Sequence, residues 1–251
     1  MTGEAPRNDR VYIHELVDIT GHNRARYMHH ITANWVPVGR AQRNQLCYGV
    51  WGTVGSTGDW PQVVNMWEFD GWPGVAANFA HELSWPTLQD PDLAEWWAAA
   101  ESLRRGGFDR ILVPAPWTRP IDGLIAEGVR GALYAHELVQ VPPGRAGALL
   151  DVVHDEGIAH LDAFGIELVG AFRTAMRDDS ECLLLWAIPD WAAWGDFEHA
   201  WDGDGPLVAW RDRLLDLRAR WLRVLLVDSP LNPMKIGRQP EESDRRPLSA
   251  I

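Results

Sequence analysis

One hexapeptide pattern occurs twice in this chain. Tyr-x-His-Glu-Leu-Val is written by Tyr12–Val17 and again by Tyr134–Val139, 122 positions later. Such a return first raises the question of a duplicated folding unit, because a repeat decides architecture before any local signal does. Two further matches follow in the same order. "NMWEFDGW" (Asn65–Trp72) aligns with "LLWAIPDW" (Leu184–Trp191) at an offset of 119, placing Trp67 on Trp186 and Trp72 on Trp191. "DLAEWWAAAESLRRGGFDRILVPAP" aligns without a gap with "PLVAWRDRLLDLRARWLRVLLVDSP" at an offset of 114, placing Leu103 on Leu217 and Val113 on Val227. The offset shrinks along the chain, so the second copy has shorter loops.

Each copy reads as β-α-β-β-α-β. In the first, Val11–Asp18 is a short strand. An amphipathic helix is predicted from Asn23 to Arg40, with Tyr27, Ile31, Trp35 and Val38 on one face and Pro37 marking an early kink or end. Two strands follow, joined by the Gly/Asp-rich "GSTGDW". A helical region from Pro73 to Arg105 is interrupted near "SWPTLQDPD", and "RILVPAP" closes the unit. The second copy gives strand Leu133–Val141, helix Arg145–Phe164, strands Ile166–Met176 and Glu181–Ile188, helix Trp191–Arg220 and strand Leu222–Asp228. This is the split βαβ, or ferredoxin-like, order.

A four-stranded sheet with both helices on one side leaves its other face bare, and that face must be covered. Two tandem copies can cover each other. The expected fold is therefore α+β: two tandem ferredoxin-like repeats forming an intramolecular dimeric α+β barrel. Residues 10–117 form the first repeat, 118–130 a linker and 131–234 the second repeat. Residues 235–251 are polar and read as a C-terminal arm or disordered tail.

Composition narrows the partners. The net charge of −12 and pI of about 5.1 disfavour phosphate backbones and anionic membrane surfaces. No apolar run reaches the ~18–20 residues of a membrane span, and the first ten residues have no signal-peptide character, so a cytoplasmic protein is expected. Cys47 and Cys182 are too few for a disulfide framework. The 15 Trp are large fillers that can also line a site, since each indole N–H asks for a partner. The partners expected are a small hydrophobic or aromatic molecule and no nucleic acid or membrane, with homodimerisation left open.

The motifs bring a resemblance. "HELVQVPPGRAGALLDVV" (His136–Val153), "GIELVGAF" (Gly165–Phe172) and "CLLLWAI" (Cys182–Ile188) resemble the NIPSNAP family of the dimeric α+β barrel superfamily. Glu137-Leu138, the turn Pro143-Gly144-Arg145, the strand Leu168-Val169-Gly170-Ala171-Phe172 (with Ala171 extra before the aromatic) and Trp186 stand at the family's motif positions. In the first repeat Glu15-Leu16 and Trp67 match, but Thr20-Gly21-His22-Asn23 replaces the Pro-Gly-Arg turn. The superfamily holds cofactor-free monooxygenases, muconolactone-type isomerases, heme enzymes and members without known activity, so the resemblance implies a fold more than a reaction.

Candidate chemistry follows from alternation. In each repeat the His and the Glu of the hexapeptide point to opposite faces of the strand. The catalytic candidates are His14, Glu15, His136 and Glu137, as acid–base groups. The competing reading is that both copies keep these residues for folding. Trp51, Asn65, Trp67 and Glu68, with Phe172, Arg173 and Trp186, are the substrate-binding candidates; Arg173 reads equally as a strand-end surface residue. His29 is expected to be solvated and His160 to lie between helix and sheet. The resemblance adds His160, His154 and His199 as axial ligands in a heme alternative. No zinc or phosphate-loop motif is present, so no metal and no organic cofactor is expected in the leading reading.

That reading is a NIPSNAP-like small-molecule enzyme that binds a hydrophobic or aromatic metabolite in the barrel cavity. His/Glu acid–base chemistry would serve oxygenation, isomerisation, cyclisation or dehydration. The alternatives are a heme-dependent enzyme on the same fold and a non-catalytic ligand-binding or assembly protein.

Overall fold

The computed structural model describes residues 7–203, 205 and 207–251. In chain order the first repeat comprises β1 (Val11–Ile19), α1 (Arg24–His29), a π-helical turn (His30–Trp35), α2 (Val36–Arg43), β2 (Leu46–Thr53), β3 (Gln62–Phe69), α3 (Gly71–Leu83), α4 (Pro91–Ala100) and β4 (Arg104–Pro114). After α5 (Ile121–Glu127) the second repeat comprises β5 (Leu133–Gln140), α6 (Ala146–Val152), a π-helical turn (Val153–Gly157), α7 (Ile158–Asp162), β6 (Glu167–Thr174), β7 (Glu181–Ile188), α8 (Trp191–Asp202), α9 (Val208–Asp216) and β8 (Arg220–Asp228). A short α10 (Pro233–Ile236) follows. The strands are hydrogen-bonded in the closed order β1-β3-β2-β8-β5-β7-β6-β4. The fold is the expected α+β barrel of two ferredoxin-like repeats. Among the described residues no helix is long and apolar enough to cross a membrane.

The chain divides into two compact units, and each takes in an end of the other repeat. One comprises Asp9–Ile111, Pro120–Gly128 and Val227–Ile251. Its core lies between the sheet and the helices: Val11, Val17, Tyr27, Ile31, Trp35, Cys47, Val50, Trp67, Phe69, Leu93 and Trp96 form one buried cluster. β1 pairs with β3 in a register that sets Glu15 opposite Asn65 and His14 opposite Met66. In β2 a bulge between Cys47 and Gly49 shifts the pairing with β3. Gly49 is needed there because the Trp51 indole lies flat against it; a Cβ would come within 2.0 Å of the ring.

The first helix does not stop at Pro37. The π turn puts the Val36 N–H on the Ile31 carbonyl, and α2 then starts with proline in its first turn, where a missing N–H is tolerated. Pro37 cannot donate to Ala33; Arg245 Nε of the C-terminal segment takes that carbonyl at 3.3 Å. This segment packs against the first repeat's strands and helices. Gln239 brackets Cys47 in β2, its Oε1 accepting from the Cys47 N–H and its Nε2 donating to the Cys47 carbonyl, both at 2.9 Å. His29 accepts from the Arg246 N–H at 3.1 Å and is buried, contrary to the solvated position expected. α5, inside the stretch read as a linker, donates its first N–H (Ile121) to Glu68 at 2.8 Å.

The other unit comprises Arg7–Asn8, Leu112–Arg119 and Val129–Leu226 among the described residues. β5 lies between β7 and β8, with Glu137 opposite Leu184 and Arg223. β6 repeats the bulge of β2, between Leu168 and Gly170. The end of β4 joins β6, pairing Leu112 with Thr174. The helix expected from Trp191 to Arg220 is two helices, α8 and α9, because the stretch after Asp202 is rich in glycine.

Candidate active site

Strand alternation assigns the faces of the repeated motif. Glu15 and Glu137 turn toward the helices of their own repeat; His14 and His136 turn to the opposite face, where both are buried. The substrate-binding candidates do not share one face. Asn65 and Trp67 lie with Glu15, whereas Trp51 and Glu68 lie with His14. Likewise Trp186 lies with Glu137 and Phe172 with His136. Arg173 sits at a strand end, 43% exposed, with Asp179 at 3.7 Å.

Around Glu15 a polar cluster is set into apolar core. Asn65 Nδ2 donates to Glu15 Oε2 at 2.9 Å and to the Tyr27 hydroxyl at 3.1 Å. Tyr27 comes from α1, the acid from β1, Asn65 and Trp67 from β3, Cys47 from β2, and Arg104 and Asp109 from β4. Burial drives the Glu15 carboxyl up to about 7, and the Asp109 charge adds to the effect; Asn65, Trp67 and Arg104 oppose it. Burial also pushes up the Tyr27 phenol and the Cys47 thiol, so both stay protonated at neutral pH. Three side chains of the cluster have buried polar atoms without a hydrogen-bond partner: Asn65 Oδ1, Trp67 Nε1, and Nε and Nη2 of Arg104. The Arg104 guanidinium stacks on Trp97 of α4. The cluster reaches solvent along β4, where Asp109 is exposed and Arg104 partly so.

The second repeat answers the same glutamate differently. Arg223 Nε donates to Glu137 Oε1 at 2.7 Å and Trp186 Nε1 to its Oε2 at 2.9 Å. Arg223 also holds Glu198 at 2.9 Å and lies over Phe197 and Trp201. The ungapped alignment puts Asp109 on Arg223, and the other two offsets put Asn65 on Leu184 and Tyr27 on Leu149. One glutamate thus sits among Asn, Tyr and Asp, and its twin among Leu, Leu and Arg. Arg104 and Asp109 were missed from the sequence, although the charge reversal at Asp109/Arg223 was a signal already present in the alignment.

On the other face, Tyr12 donates to Glu68 Oε2 at 2.9 Å and packs edge-on against Tyr48. Burial raises the Glu68 carboxyl, while the Ile121 N–H and Tyr12 pull it back. This contact ties α5 to β3.

The histidines of the heme alternative do not converge. His160 is half-buried and stacks on Trp210, between helices. His154 is exposed, bonded to Asp155 and tilted on Trp117. His199 is exposed. The helix–sheet layer lined by Glu137, Leu161, Trp186 and Trp210 holds a cavity of about 10 Å³. That is room for about one water, against the roughly 300 Å³ or more of a cofactor pocket. None of the three histidines lines this cavity. Among the described residues no group of three or more His, Cys, Asp or Glu could hold a metal ion.

No protein-family model matches the chain, and no curated protein matches it. Solved structures do. A provisionally assigned monooxygenase from Fusobacterium nucleatum is 8% identical, covering 91% of this chain and 98% of its own, with a TM-score of 0.51. Another from Lactobacillus acidophilus is 10% identical, covering 88% and 97%, with a TM-score of 0.51. A dye-decolorizing protein from Vibrio cholerae is 10% identical, covering 90% and 95%, with a TM-score of 0.50. An uncharacterised NIPSNAP-like domain protein from Burkholderia xenovorans is 18% identical over 45% of this chain, with a TM-score of 0.37, too loose a likeness to argue from. At these identities the comparisons show the fold alone, an α+β barrel.

Proposed function

We propose that the protein is a small-molecule enzyme whose first repeat carries the site, with Glu15 as the group that takes and returns a proton. One observation supports this above the others. Where the second repeat neutralises its glutamate with Arg223, the first places Asp109 and leaves Glu15 beside an amide and a phenol. A carboxyl held near neutrality is matched to general acid–base work at cellular pH. A purely structural role would favour the paired form seen in the second copy. Asn65 orients the acid and is itself tied to Tyr27. The chemistry asked of the chain is proton transfer by its own side chains. Glu137 is structural in this reading, and the two buried histidines belong to the opposite face.

The test is a panel of small aromatic compounds incubated with the protein and followed by mass spectrometry. A compound transformed by the wild type and by Glu137→Gln but not by Glu15→Gln supports the assignment. Equal turnover by Glu15→Gln contradicts it.

A further inference from the structure

Buried guanidinium nitrogens without acceptors are rare in folded proteins, and each asks for a cause. Arg104 presents two, Nε and Nη2. It lies within electrostatic reach of Glu15, Tyr27 and Asp109, yet it makes a hydrogen bond to none of them in the structure. Its guanidinium carbon lies over the Trp97 ring, while Nε and Nη2 stay unspent. Tyr27 is the second donor. Its oxygen accepts from Asn65, which leaves the phenol hydrogen for another acceptor. Two donors and one proton acceptor thus meet at one partly open cluster, and two oriented donors are what a developing oxyanion requires.

The geometry points to a substrate class: Arg104 and Tyr27 hold the oxygen of an enolisable carbonyl compound while Glu15 moves its proton. This rests on the proposed role of Glu15 and adds the identity of the group opposite it. The step balances without a co-reactant. The Glu15 carboxylate removes a proton from the carbon next to the carbonyl. The C–H electron pair becomes a C=C bond, and the carbonyl π pair moves onto oxygen, giving an enolate paired with Arg104. Where the substrate carries a C=C bond β,γ to the carbonyl, Glu15, now a carboxylic acid, returns the proton to the γ carbon as the charge on oxygen moves back to rebuild the carbonyl. The net reaction is an isomerisation. An Arg fork suits this oxygen better than a Lys point charge, because it can meet two lone pairs in one plane.

The probe is 4-nitrophenol, a flat aromatic acid whose ionised oxygen imitates an enolate and whose ionisation is visible in its absorbance. Wild type is expected to bind it and to draw it into the ionised form. Arg104→Gln should bind about 10- to 100-fold more weakly, the worth of a charged hydrogen bond. Glu15→Gln should bind as well as wild type or better above neutral pH, because a carboxylate no longer faces the phenolate. If Arg104→Gln does not keep the wild-type circular dichroism, Arg104→Lys replaces it, with weakened binding again expected. Undiminished binding by a folded Arg104 variant, or no binding by wild type, overturns the substrate class. Either result leaves the protonation of Glu15 to be judged by its own titration, so the two readings fail separately.

Discussion

Asp109 stands on the last strand of the first repeat at the position that Arg223 holds in the second, and each acts on the glutamate of its own repeat. Arg223 clamps Glu137 at 2.7 Å; Asp109 raises the Glu15 carboxyl. The difference is a reversal of sign at one position of a duplicated frame. Asp109→Arg should therefore convert the first site toward the second. The Glu15 carboxyl is expected to fall well below 7, and any turnover that depends on it should drop at least tenfold. A pH–rate profile of the variant, with the acid limb displaced downward, is the check.

Stability carries the same signature. A carboxyl raised on folding binds its proton more tightly in the native state. Stability therefore falls as pH rises from the ordinary value of 4.5 to about 7, and levels off above. Glu15→Gln removes this dependence. Denaturant unfolding should find the variant close to wild type near pH 4 and about 2–3 kcal/mol more stable near pH 8. The difference between the two curves isolates Glu15 from Glu68, whose carboxyl is also raised.

Arg223 is predicted to be structural. Its side chain is 13% exposed and serves both Glu137 and Glu198. Arg223→Ala leaves a largely buried carboxylate unpaired and should cost about 3 kcal/mol. Adding Glu137→Leu should recover part of the loss, since it removes the unpaired buried carboxylate. Unfolding midpoints of the single and double variants decide this.

The arm makes a local prediction. Gln239 gives Cys47 both of its main-chain hydrogen bonds on that side. Gln239→Ala should destabilise by about 1–3 kcal/mol and speed amide exchange at Cys47. Unchanged exchange there would mean that the arm does not hold β2.

Much of the fold was readable because two periodicities and one duplication all agreed. Alternation in Tyr12–Val17 and its copy, the Tyr27/Ile31/Trp35 stripe and the three ordered offsets leave few architectures. The site was half legible. Glu15, Asn65 and Trp67 were singled out, but Trp51 and Glu68 were grouped with them although they lie on the other face; which face meets the helices is decided by packing, not by the strand's own sequence. Arg104 and Asp109 escaped because charged residues in a Gly-rich run read as solvated. The polar tail makes contacts that its composition alone does not specify. Polarity predicts solvent for side chains, yet Gln239 and the Arg246 N–H spend theirs on main chain and on His29.

The central claim is that Glu15 is a proton-transfer group poised near neutrality. It is tested most directly by following the Glu15 side-chain carboxyl carbon by NMR through a pH titration, assigned with Glu15→Gln. The account predicts a midpoint near 7. A midpoint in the ordinary glutamate range, near 4.5, would contradict it and return Glu15 to the structural role of its twin.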